Sequence, residues 1–150
     1  MIAFLTGKIA GKGIDSVIVD VGGVGYRVRV PLSTHSRLGA RNEEVHLLTT
    51  HIFRENSQEL YGFLTEGEQE LFERTISVSG VGPKLALGVL SGMSPEAFTQ
   101  AVLANDVKAL SKCPGVGKKT AERLIMELRG SIEELQLDDA HAGVYSGDAP

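Results

Sequence analysis

Tryptophan is absent, cysteine occurs once, and aromatic residues make up only 5% of the 150 positions. The lone Cys113 excludes an internal disulfide and a multi-cysteine metal site. So few rings argue against a single-strand binder built on base-stacking platforms. Tyr61 and Phe63 alternate on one candidate strand and read as packing. The four histidines, His35, His46, His51 and His141, are scattered, which leaves Cys113 without a partner for thiol catalysis. His46 and His51, five apart on a candidate strand, face opposite sides and make no paired metal site. Long apolar runs are missing and mean hydropathy is near zero. No charged-then-apolar leader opens the sequence. These absences predict a soluble, cytoplasmic protein with no membrane partner.

The net charge of −4 speaks against nucleic acid until it is divided along the chain. Residues 1–79 carry 8 basic and 10 acidic groups. Residues 80–130 carry 7 basic groups (Lys84, Lys108, Lys112, Lys118, Lys119, Arg123 and Arg129) against 4 acidic. Residues 131–150 carry 5 acidic groups and no basic one. The middle attracts phosphate while the rest repels it.

What is present falls into two periods. "IAFLTGKIA", "IDSVIVDV", "YRVRV", "EVHLLTTHIF" and "QELYGFL" are rich in branched and aromatic residues, and two of them alternate strictly, as half-buried strands do. "AGKG" and "GGVG" mark turns, with Gly22, Gly23 and Gly25 as turn residues, and "LSTHSRLG" suits a short helix. The pattern predicts a five-stranded OB-fold-like barrel over residues 1–64, with an SH3-like barrel as the alternative. From Thr65 the pattern turns helical. Thr65 and Glu68 have capping-box spacing before Leu71, Phe72, Ile76 and Val78. "PKLALGVLSG" opens on proline, "SPEAFTQAVLA" has Ser94 as N-cap, "NDVKALSKC" is a short helix, and "KKTAERLIMELRG" is expected to end at Gly130. Residues 65–135 therefore read as an all-α domain, and 136–150 as an acidic flexible tail.

Two segments of the helical part repeat. "SGVGPKLAL" (79–87) aligns with "PGVGKKTAE" (114–122) at an offset of 35, matching Gly80, Gly82 and Lys84 to Gly115, Gly117 and Lys119. Each copy reads as helix, G-V-G turn, helix. Glycine allows unusual dihedrals and close approach, and a helix N-terminus offers free N–H groups and a positive dipole end to an anion. A lysine follows near the same point, and Val81 and Val116 are placed to tuck between the helices. Nothing in the motif reads base edges, so the contacts would position a duplex without regard to sequence. A plainer reading makes the glycines helix C-caps, but it leaves the equal offset of the lysines unexplained. A Walker A loop fails, because its first glycine falls at Lys112 and its Ser/Thr at Lys119. "VGGVGY" fails as a dinucleotide loop, because a strand follows it where a helix is required. No cofactor is expected.

This order of barrel and tandem helix–hairpin–helix motifs, with the segments "MIAFLTG", "GVGYRV", "RENSQELYGF", "GVGPKLAL" and "PGVGKKTAERL", resembles the RuvA family of bacterial Holliday junction-binding proteins over residues 1 to about 135. The resemblance implies a flat homotetramer, sometimes doubled to an octamer, with the arms of a four-way DNA junction on its concave face. It implies that the protein itself catalyses nothing and works with the ATPase motor RuvB, and by extension the RuvC nuclease, in recombination and repair. It assigns Gly80, Gly82, Lys84, Gly115, Gly117, Lys118, Lys119 and Arg123 to DNA phosphates. It places Arg54, Glu55 and Asn56 at the junction centre, where an acidic pin helps part the strands. The family usually has two successive acids there; here the second position is Asn56, so a tetramer would carry four pin carboxylates rather than eight. Family members continue through a linker to a small motor-docking helical domain, and the sequence to Pro150 reads as stopping within that linker.

Two other readings compete. Helix–hairpin–helix DNA glycosylases resemble "PGVGKKTA" and place a catalytic aspartate some twenty residues on, near Asp138 and Asp139. An acidic tail and a barrel are the wrong setting for that chemistry. A general duplex-binding module without junction preference is the second.

Overall fold

The computed structural model describes residues 1–139, with side-chain surroundings through Ser131. Five strands, β1 (Phe4–Lys12), β2 (Ser16–Val21), β3 (Val24–Arg29), β4 (Glu44–Arg54) and β5 (Ser57–Phe63), close a barrel in the order β1-β2-β3-β5-β4. All neighbours are antiparallel except β3 and β5, which meet in parallel over Val28–Leu60 and Arg29–Tyr61. A five-stranded barrel of this order is the OB-like architecture read from the sequence. Closure leaves no free sheet edge for stray pairing. The short α1 (Leu32–His35) lies between β3 and β4.

Two strand boundaries differ from the sequence reading. β1 runs through Lys12, so the first turn falls at Gly13–Asp15 rather than across "AGKG". The β2–β3 turn takes only Gly22 and Gly23, closed by a 2.8 Å hydrogen bond from the Gly23 amide to Asp20 Oδ1. Gly25 stands in β3 opposite Asp20.

Five helices follow: α2 (Glu66–Ile76), α3 (Pro83–Gly92), α4 (Pro95–Leu103), α5 (Val107–Leu110) and α6 (Lys118–Asp139). Side chains fix most of their starts. Thr65, Ser94 and Asp106 each accept a hydrogen bond from the backbone N–H three residues on, as N-caps do. α6 does not end at Gly130 but continues to Asp139. One helical glycine costs only about 1 kcal/mol against alanine, and the Glu, Leu and Gln that follow favour helix. The expected tail boundary at 136 thus falls inside α6; residues 140–150 lie outside the described residues.

Leu5, Ile9, Val17, Val19, Val28 and Leu47 fill the barrel. A second core gathers Phe72, Val89, Leu90, Phe98, Val102, Leu110 and Leu124 from the helices. β5 contributes Tyr61 and Phe63 to that helical core, and the Phe72 ring lies 5.0 Å from each of theirs. Glu68 makes a polar link beside this joint. The capping box predicts that its carboxylate turns back onto the start of α2. The carboxylate does turn back, accepting from the Thr65 hydroxyl (3.0 Å), and it also pairs with Arg37 and accepts hydrogen bonds from Thr34 (3.1 Å) and Ser33 (3.2 Å). α1 is also tied to α3 through the Leu32 amide, which donates to Ser91 Oγ at 2.9 Å. These contacts fix the barrel against the first hairpin.

Candidate nucleic-acid interface

The 35-residue repeat holds at the level of backbone geometry. Gly80 has φ +82° and Gly115 φ +80°, the left-handed region that a side chain strains to adopt. In each turn the following valine is buried, and its amide closes the loop. Val81 N–H donates to the Val78 carbonyl and Val116 N–H to the Cys113 carbonyl, both at 3.0 Å. Each second helix then begins at a glycine, with Ala86 N–H bonded to the Gly82 carbonyl (3.1 Å) and Ala121 N–H to that of Gly117 (2.9 Å).

The choice of N-cap separates these two helices from their neighbours. α2, α4 and α5 start on side chains that cap their own amides. α3 starts on Gly82, which makes no side-chain cap, and α6 follows Gly117, which has no side chain to offer. The first-turn amides of both helices are left for an outside acceptor, and a phosphate oxygen suits them. Lys84, Lys118 and Lys119 are exposed beside these amides. Among the described residues none of the three takes part in an ion pair. Glycine N-caps, positive dipole ends and free cations converge on two points, as binding to a phosphate backbone requires.

Arg123 is placed differently from the other cations. Its Nη1 donates a 3.0 Å hydrogen bond to the Ser79 carbonyl, so it reaches from α6 to the first turn. Sequence reasoning takes it for a cation of the second hairpin and does not anticipate this bond.

Arg54, Glu55 and Asn56 lie at the tip where β4 turns into β5, and all three are exposed. Arg54 lines the same cleft of about 510 Å³ as Gly82 and Lys84, so the barrel tip and the first hairpin open onto one space. Arg29, Glu59 and Tyr61 share that cleft and were not singled out by sequence. Arg29 pairs with Asp15 (3.6 Å) and Glu59 (3.5 Å), and Tyr61 donates its hydroxyl to Glu59. Burial, with the Glu59 hydrogen bond and charge adding to it, holds the Tyr61 phenol well above its ordinary range and keeps it a donor. Alternating Arg and Glu on adjoining strands was the available signal, but register decides which of them meet.

The remaining candidates resolve as packing. Cys113 is buried in the helical core, and burial pushes its thiol up, away from the reactive thiolate. His46 contacts Thr6 and Phe4, whereas His51 bonds to Gln58 and stacks on Phe53. Asp138 and Asp139 fall in the last turn of α6 rather than in a tail, and their side chains lie outside the described residues.

A closed barrel followed by paired G-V-G hairpins defines a tandem helix–hairpin–helix protein. Comparison with known proteins agrees at both ends of the chain. Residues 1–62 match the RuvA N terminal domain, and residues 72–129 match the SAM-like helix-hairpin-helix tandem. A protein of Delftia acidovorans is 52% identical over 132 residues, covering 88% of this chain and 70% of its own. One of Methylibium petroleiphilum is 51% identical over 149 residues, covering 99% and 77%. One of Geobacter sulfurreducens is 44% identical over 151 residues, covering 100% and 75%. Each is named Holliday junction branch migration complex subunit RuvA. The chain belongs to the RuvA family.

Proposed function

We propose that this protein binds four-way DNA junctions, without regard to sequence, as the non-catalytic subunit of an ATP-driven branch migration complex in recombination and repair. The pair of uncapped, lysine-flanked helix starts carries the reading, in a chain whose relatives bear that complex's name. Gly80, Gly82 and Lys84 hold phosphates of one stretch of backbone, and Gly115, Gly117, Lys118 and Lys119 hold those of another. Residues 1–64 form the centre of a homotetramer, open to doubling into an octamer. Residues 65–135 lie along the arms. Four copies of the Arg54–Glu55–Asn56 tip meet at the crossover. Arg54 attracts the strands there, and Glu55 keeps the exchanging phosphates apart. ATP hydrolysis belongs to RuvB, junction cleavage to RuvC, and the assembly works in the cytoplasm.

The test is a gel shift of a synthetic four-way junction against linear duplex with the same arm sequences, at one salt concentration. Strong junction preference is expected. Equal affinity would reduce the protein to a general duplex binder, and release of a base would point to a glycosylase.

A further inference from the structure

The two hairpins meet through a reciprocal contact that only one of them makes with a side chain. At the offset of 35, Ser79 corresponds to Pro114 and Gly88 to Arg123. On α3, Gly88 lies against the second turn: a Cβ placed there would fall 2.2 Å from the Pro114 carbonyl oxygen. On α6, Arg123 lies against the first turn and donates to the Ser79 carbonyl. Each second helix thus addresses the equivalent carbonyl of the other hairpin, as a local two-fold relation demands. The two halves are closed by different means. α3 meets its turn backbone to backbone, which the missing Cβ of Gly88 permits. α6 meets its turn through the Arg123 side chain, which reaches the Ser79 carbonyl. The guanidinium also covers Gly80, where a Cβ would come within 3.0 Å of Nη1.

We propose that Arg123 is a positioning residue, a strut that sets the spacing of the two phosphate-binding turns and holds the first in its closed form. This rests on the phosphate-binding role proposed above. A guanidinium has five donors in a planar fork, so the bond to Ser79 leaves others for a phosphate. A lysine at this position supplies charge but ends one bond short of Nη1, so it does not reach the Ser79 carbonyl. Turns held at a fixed separation meet successive phosphates without an ordering cost at the moment of binding.

Amide hydrogen exchange of the free protein tests the strut without DNA. Val81 N–H reports closure of the first turn, and Val116 N–H reports the equivalent bond in the second. In Arg123→Ala, Val81 should exchange about tenfold faster, as for loss of one hydrogen bond from a charged donor, while Val116 stays unchanged. Arg123→Lys should leave Val81 equally fast. Unchanged Val81, a parallel rise at both valines, or full protection in Arg123→Lys would each overturn the proposal. A double-mutant cycle on junction affinity supplies the second arm. Lys84→Ala should cost less than half as many fold in the Arg123→Ala background as in the wild type, because the strut sets the first turn that Lys84 serves. Additive losses would make Arg123 an ordinary cation and overturn the strut. Failure of junction binding itself would count against the proposed function and leave the exchange result standing.

Discussion

Lys84 and Lys119 sit at the same position of two helices that start from glycine, and both extend into solvent without an acidic partner among the described residues. A cation so placed acts on phosphate by releasing counterions, which ties its contribution to salt. Lys84→Ala or Lys119→Ala should weaken junction binding for all arm sequences and lower the slope of log affinity against log salt by about 1 each. A salt titration of either variant with an unchanged slope would remove that lysine from the interface. Glu55 predicts the opposite sign. It is exposed at the β4–β5 tip, and in the proposed pin role it would repel phosphate and subtract from affinity. Glu55→Gln should leave junction affinity equal or tighter and slow strand exchange driven by RuvB. A large loss of affinity in the same gel shift would contradict the pin role. The lysines were legible in the sequence, because lysine after a G-V-G turn is a local pattern; Glu55 was singled out only by the family resemblance, since an acid at a hairpin tip is by itself an ordinary solvated side chain.

At the scale of elements, self-capped helices are distinct from those whose first turn is left open to a ligand. α2, α4 and α5 are closed by their own Thr65, Ser94 and Asp106, and α3 is left open at Gly82. Gly82 has φ −97° and ψ 176°, extended backbone that any residue adopts, and a Cβ there meets nothing within 4 Å. Backbone strain therefore does not account for glycine here. Gly82→Asp should change stability by no more than about 0.5 kcal/mol, since glycine is nearly as good an N-cap as aspartate. It should still weaken junction binding markedly, because the carboxylate occupies the free amides and repels phosphate. Thermal unfolding and gel shift on one preparation check both halves. Equal loss of stability and binding would return Gly82 to a structural role. Element existence was legible from period and caps. The end of α6 was not, because a single glycine inside good helix-forming sequence does not stop a helix, and Gly130 looks the same in either case.

At the scale of the whole molecule, the barrel and the hairpins are joined by two kinds of contact. Tyr61 and Phe63 enter the helical core against Phe72, and buried Glu68 gathers Ser33, Thr34 and Arg37 of the barrel side onto α2. Glu68→Ala should cost about 2 kcal/mol, because it strands the buried Thr34 hydroxyl and removes the partner of Arg37. Urea unfolding measures it, and a loss below about 0.5 kcal/mol would show that the Glu68 contacts add little to the joint. The joint keeps the Arg54 side of the tip and the first hairpin on one cleft.

The sequence by itself determined the barrel strands, the helices, the two hairpins and the cations beside them. Side-chain period, N-capping residues and the glycine of a left-handed turn are decided within a few neighbouring positions, and the repeat made the hairpins visible twice. Tertiary structure alone decided that Glu68 adds Arg37 to its contact with Thr65, that β5 lends two rings to the helical core, and that Arg123 crosses to Ser79. Those pairings join positions from 9 to 44 residues apart. They depend on how packed elements approach one another, and no local pattern carries that distance.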